Sequence, residues 1–204
     1  MTTGEFRKRQ LVTSIYLPSL LITAAEGALL PILPVSAVGF GFSLAEASII
    51  TTVLMVSTMV FEVPASWINA KIGERNAMLA STVLGFVMTL LAFLNLGYPA
   101  LVLSALGFGA AHSLFGLARH SLLAEIVPEQ HRPKSMSLLG GMFRGGMAIG
   151  PVIGSAFIVL YGVEFGYLAA AMLCLAAGAS VLTVPAVRLK ATPSGQNGNM
   201  WAVA

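Results

Sequence analysis

Long apolar runs alternate along this chain with short polar joints. A helix that crosses a membrane needs about 20 mostly apolar residues. Six stretches meet that length: 11–38, 44–68, 77–96, 98–123, 136–161 and 165–187. In lipid each backbone N–H and C=O must be satisfied within its own segment, so all six are expected to be helices. The pattern predicts an all-α membrane protein: a six-transmembrane-helix bundle over residues 1–190, followed by a short tail at 191–204. At 43–46 the Ser-x-x-Glu of SLAE reads as a capping box opening the second helix, which makes Glu46 a cap rather than a functional acid. Trp67, Tyr98, Tyr161 and Tyr167 fall near span ends, where interfacial aromatics belong.

Composition agrees. Hydrophobic residues make up 57% of the chain and charged residues 9%, against roughly 25% charged in soluble domains. A soluble globule of this size could not be covered with so little polar surface. The net charge of +3 would suggest a nucleic-acid partner in a soluble protein. Here the basic residues lie in the joints, so the partner expected is the lipid bilayer and not nucleic acid.

The basic residues occupy alternate joints. Arg7, Lys8 and Arg9, then Lys71 and Arg75, then Arg132 and Lys134, then Arg188 and Lys190 fall on one side, and the other three joints carry no lysine or arginine. This bias places both termini in the cytoplasm, with the bundle in the plasma (inner) membrane. The basic start followed by an apolar run resembles a signal peptide, but the run continues to Val38, longer than a signal's apolar region. The only cysteine, Cys174, lies in an apolar run, and there is no aspartate. No disulfide framework, zinc pattern, phosphate loop or catalytic triad is present in the sequence, so neither an enzyme nor a cofactor or metal is expected.

Few ionisable residues then remain inside the spans: Glu26, Glu62, Arg119 and Arg144, with His112 and His120. They fall on spans one, two, four and five. Intramembrane charges normally face a bundle interior or a wet cavity, so those four spans are expected to surround something polar. At 1.5 Å per residue, Glu62 and Arg119 lie roughly 10 Å inside the cytoplasmic boundary and Arg144 a few ångströms deeper. These three are expected to form a charge network. Arg119 is read either as paired or snorkelling to the interface, or as a functional charge. Arg144 is read as gating or substrate-facing, or as a structural ion pair with Glu62.

Glu26 falls near the midplane with no basic residue at its depth. It is a candidate to take and release a proton, the alternative being a permanently neutral acid bonded to a hydroxyl or carbonyl. His112 is a mid-span candidate for the same pathway, or a satisfied polar contact. Gly146, Gly150 and Gly154 recur every four residues as one smooth stripe, and Gly141 with Gly145 forms a second pair. Such stripes let helix backbones touch, and Pro151 invites a kink.

The stretch GGMFRGGMAIGPVIGS resembles the fifth-helix signature of antiporters of the major facilitator superfamily, Gly-x8-Gly-Pro-x-x-Gly-Gly. Gly141, Gly150, Pro151 and Gly154 match it, and Ser155 stands at the last glycine. The preceding AEIVPEQHRPKSMSLLGG resembles the family's loop before that helix, with Arg132 at its usual arginine, and GALLPILP resembles its first helix. SWINAKIGERN is similar to the family's motif between helices two and three, keeping Lys71, Gly73 and Arg75. It has Ser66, Ala70 and Asn76 where that motif has glycine, aspartate and a base. Leu103 stands near the family's fourth-helix arginine, and Arg119 comes too late to replace it.

The resemblance implies half of a twelve-helix fold, built from two inverted three-helix repeats at about 11–96 and 98–187. Spans one, two, four and five would line the cavity or its gates, with three and six peripheral. The resemblance further implies Lys71, Arg75 and Arg132 as gating charges and a small-molecule substrate moved by secondary, efflux- or antiport-like transport. A second bundle to rock against would come from a parallel homodimer or a second six-helix polypeptide. The alternative is a truncated or accessory membrane subunit without transport activity of its own.

Overall fold

A computed structural model of the chain describes residues 15–182. The clusters at 7–9 and 188–190, and the tail 191–204, lie outside the described residues. Among the described residues seven α-helices follow in order: α1 Leu17–Gly39, α2 Leu44–Val60, α3 Glu62–Ile72, α4 Glu74–Phe93, α5 Tyr98–Ile126, α6 Arg132–Tyr161 and α7 Glu164–Leu182. A 3₁₀ turn, Glu129–His131, joins α5 to α6. Five of these helices are each long and apolar enough to cross a membrane, and α2 with α3, taken together as one bent span, would make a sixth. The protein is an integral, multi-pass, all-α membrane protein.

The second span is not the continuous helix expected over 44–68. It breaks at Phe61 with a bend of 49° and runs on to Ile72. Pro64 supplies the cause: it has no N–H for the Val60 carbonyl four residues earlier, and its ring crowds that carbonyl. At the other end of α2 the capping box is present. The Ser43 N–H donates to Glu46 Oε2 at 2.9 Å, and the Glu46 N–H returns a bond to Ser43 Oγ at 3.4 Å. The joint between α3 and α4 is the single residue Gly73, whose φ of +82° only glycine adopts without strain. Lys71 and Arg75 therefore sit on helix ends instead of in a loop.

Helix α1 is the centre of the packing, lying against α6, α7 and α2, while α5 packs on α4, α2 and α3. Helices α4 and α7 also pack on each other; α5 and α6 barely touch. With lipid outside, burial of apolar surface gives little drive for helix association, so close van der Waals fit must supply it. The α1–α6 crossing shows how. Gly146, Gly150 and Gly154 are buried. A Cβ at 150 would collide with the Ala24 carbonyl oxygen and lie 2.8 Å from the Ala28 nitrogen; one at 146 would strike Thr23 Oγ1.

From the facing side, a Cβ on Gly27 would lie 3.0 Å from the Met147 carbonyl oxygen and 3.2 Å from Pro151 Cδ. That carbonyl is the one for which Pro151 has no N–H. A glycine thus faces the point where proline has left an acceptor free, and α6 stays one continuous helix through Pro151.

The second glycine pair does not do what was expected. Gly141 is exposed, with nothing within 4 Å of its Cβ position, and Gly145 meets only Leu20 Cδ1 at 3.5 Å. The buried hydroxyls of Ser81, Thr82, Thr89 and Ser104 are satisfied locally, each donating to a carbonyl three or four residues back.

Candidate functional site

The polar centre lies between α1 and α5. Helix α1 contributes Glu26, 4% exposed; α5 contributes His112 and Arg119, 8% and 6% exposed. Positions 112 and 119 are seven residues apart, about two turns, so their side chains share one face of α5. Glu26 Oε2 lies 3.4 Å from His112 Nδ1, and the Arg119 guanidinium is the opposite charge acting on the Glu26 carboxylate. Arg119 also stands 6.0 Å from the centroid of the Phe115 ring. The His112 ring meets Phe143 of α6 edge-on, 6.5 Å between centroids.

The cluster is close but not saturated. Glu26 Oε2, His112 Nδ1 and the Nε and Nη1 of Arg119 are buried without a protein hydrogen-bond partner; the 3.4 Å Glu26–His112 contact is not aligned as a hydrogen bond. The neighbouring Ser113 Oγ is in the same condition. A buried polar group left unbonded costs roughly 1–3 kcal/mol. Chemically, the set offers a carboxylate and an imidazole able to exchange a proton and a guanidinium with two free donor positions.

This arrangement corrects two expectations. Glu26 does have a basic residue within reach, and Arg119 is not part of a network with Glu62 and Arg144. The reason is the lean of helical side chains toward their own N-terminus. On α5 that direction carries the Arg119 guanidinium away from the helix end, toward the middle of the bundle and Glu26. It does not snorkel. Glu62 and Arg144 sit on exposed faces of α3 and α6, and among the described residues neither forms an ion pair within 4.0 Å.

Two of the other charges expected to gate, Arg132 and Arg75, bond backbone carbonyls. Arg132 Nε donates to the Val127 carbonyl at 3.1 Å and its Nη1 lies 3.6 Å from Glu129 Oε1, holding the turn after α5. Arg75 Nη2 donates to the Leu182 carbonyl at 3.4 Å, and Lys71 is exposed. His120 is exposed, with Nδ1 2.7 Å from the Gly116 carbonyl. Ser113 and Phe143 were missed from sequence; only adjacency to His112 and Arg144 could have suggested them.

The profile of the Major Facilitator Superfamily matches residues 15–201. The chain belongs to that superfamily. It is also similar to a protein of Oryza sativa subsp. japonica described as "Probable anion transporter 7", 32% identical over 113 residues. That match takes in 54% of this chain but 26% of the rice protein, so the chain aligns with about a quarter of that relative's length. Within this superfamily member the fifth-span glycines that match the antiporter signature are the ones seated on α1, Gly141 excepted.

Proposed function

We propose that this chain is one six-helix half of a secondary active transporter for a small anion, working in an efflux- or antiport-like mode with a second six-helix bundle. The observation that carries the reading is the buried Glu26–His112–Arg119 cluster, polar atoms unbonded, between two helices of a major facilitator protein. The similarity to a protein described as an anion transporter supports the charge of the substrate. Exposed apolar faces on α2–α3 (Met59, Val63, Trp67) and α6 (Val152, Val159, Leu160) support a second bundle, as a parallel copy or a separate polypeptide. The alternating basic joints support cytoplasmic termini in a plasma (inner) membrane.

Charge balance supplies the mechanism. In the unloaded state the Glu26 carboxylate offsets Arg119. An anion bound at Arg119 takes over that role, and Glu26 then takes a proton, with His112 beside it as relay. Anion and proton are thereby linked, and the linkage is reciprocal. If the proton stays on Glu26 while one anion replaces another, the result is exchange, the antiport-like mode.

The test is uptake into proteoliposomes holding the chain in its native assembly, with labelled inorganic phosphate and succinate as probes. Saturable uptake, accelerated by unlabelled anion inside at constant pH, supports exchange. Saturable binding without uptake would replace the transporter reading with that of an accessory membrane subunit.

A further inference from the structure

A polar cavity lies at the end of the bundle away from Lys71, Arg75 and Arg132, where the end of α1, the α4–α5 joint and the α6–α7 joint meet. It is lined chiefly by Ser36, Phe40, Asn95, Val163, Glu164 and Tyr167, and its volume is about 190 Å³. Ser36 is ten residues beyond Glu26 on α1, about 15 Å along the helix. The cavity is therefore separate from the interior cluster.

Its walls carry one sign of charge. Among the described residues the Glu164 carboxylate has no hydrogen bond and no ion pair within 4.0 Å. The joints at this end of the bundle hold no lysine or arginine. Asn95 presents its amide from a turn residue with φ of +51°. The Tyr167 hydroxyl donates to Ser36 Oγ at 2.8 Å, which fixes that pair and leaves a lone pair on the Ser36 oxygen. Phe40 and the apolar Val35 and Val163 complete the lining. As the first residue of α7, Glu164 also favours its helix N-terminus, but that role alone does not require a cavity beside it.

An unpaired carboxylate and the neutral oxygen acceptors beside it suit an ammonium group. They do not suit an anion, for which no cationic donor is at hand. Nor do they suit Ca²⁺, which takes about 6–8 oxygen ligands. Drug-sized ligands occupy about 300–1,000 Å³; this cavity takes something nearer a headgroup. The geometry points to a binding site for a small organic ammonium group at this end of the bundle. The group belongs either to a free amine or to the headgroup of an aminophospholipid. The site does not depend on the transport reading.

The full chain in detergent, unfolded by heat and followed through dye reaction at the buried Cys174, tests the site. Ethanolamine at millimolar concentration is expected to raise the unfolding midpoint above a sodium chloride control of equal ionic strength. Glu164→Gln, which keeps the side-chain shape, is expected to weaken that effect at least tenfold. Asn95→Gly, which tolerates the turn's positive φ, should weaken it several-fold. If the source is lipid, nanodiscs containing phosphatidylethanolamine stabilise the chain over phosphatidylglycerol, again through Glu164, while free ethanolamine does not. The proposal is overturned if neither probe shifts the midpoint, or if Glu164→Gln and wild type respond alike.

Discussion

Replacing Gly150 by alanine probes the α1–α6 crossing at its tightest point. The added methyl would collide with the Ala24 carbonyl oxygen, 2.8 Å from the Ala28 nitrogen and 3.0 Å from the Ala24 carbonyl carbon. All three are backbone atoms of α1, so no side-chain rotation relieves the clash. Ordinary carbon contacts need about 3.5–4.0 Å, so the helices must part by about 1 Å. That separation loosens the Gly146, Gly154 and Gly27 contacts together. Overpacking costs about 1–3 kcal/mol, and an obstacle made of backbone belongs at the upper end. Alanine returns about 1 kcal/mol of helix propensity over glycine.

The net loss is therefore about 2 kcal/mol, or about 4–8 °C in midpoint for a chain of this length. Gly141→Ala is the internal control. Nothing lies within 4 Å of its Cβ position, so only the propensity gain acts, raising the midpoint by about 2–4 °C. Cys174, the only cysteine and fully buried, reports unfolding in both variants through a thiol-reactive dye. Equal midpoints for the two variants, or a rise for Gly150→Ala, would refute the packing argument.

The buried charges make their own predictions. Arg119→Gln should destabilise the chain by removing the cation that offsets the Glu26 carboxylate, and adding Glu26→Gln should recover about 0.5–3 kcal/mol of the loss. Strictly additive losses in that double-mutant cycle would mean that the two charges do not interact. In proteoliposomes, Glu26→Gln should flatten the pH dependence of anion uptake, and an unchanged profile would exclude Glu26 as the proton carrier. Arg144→Ala should reduce uptake far more than it reduces the amount of chain inserted in the membrane; equal reductions would make Arg144 structural only.

What the sequence showed plainly was local. Span length, the capping box at Ser43 and the four-residue glycine stripe each depend on a few neighbouring positions, and each is present in the structure. Gly141 was misplaced because a repeat of four says nothing about phase. From 141 to 150 is nine residues, two and a half turns, which puts Gly141 on the side of α6 opposite the α1 contact. The break at Phe61 was signalled by Pro64 but hidden by an apolar run that continues through it. Arg119 was paired wrongly because depth was counted along the backbone. A long side chain leaning toward its helix N-terminus moves its charge by a turn or more from its own Cα.

Those same phases bear on how the interior cluster is reached. Arg144 is six residues before Gly150, one and two-thirds turns, so it points about a third of a turn away from the α1 contact. Phe143, its neighbour, covers the edge of the His112 ring. The weakly packed seam between α5 and α6 thus has Phe143 against His112, with the Glu26–His112 contact beyond it, and Arg144 exposed on α6 one residue away. An anion drawn first to the exposed guanidinium and then to Arg119 would meet a rising cost of desolvation at each step, offset by a cation at each step. Neither step is sheltered from lipid by this bundle alone, since the faces of α2–α3 and α6 flanking the seam are exposed and apolar. That asymmetry, polar behind the seam and apolar beside it, is what a second bundle closing over α6 and α2–α3 would need to find.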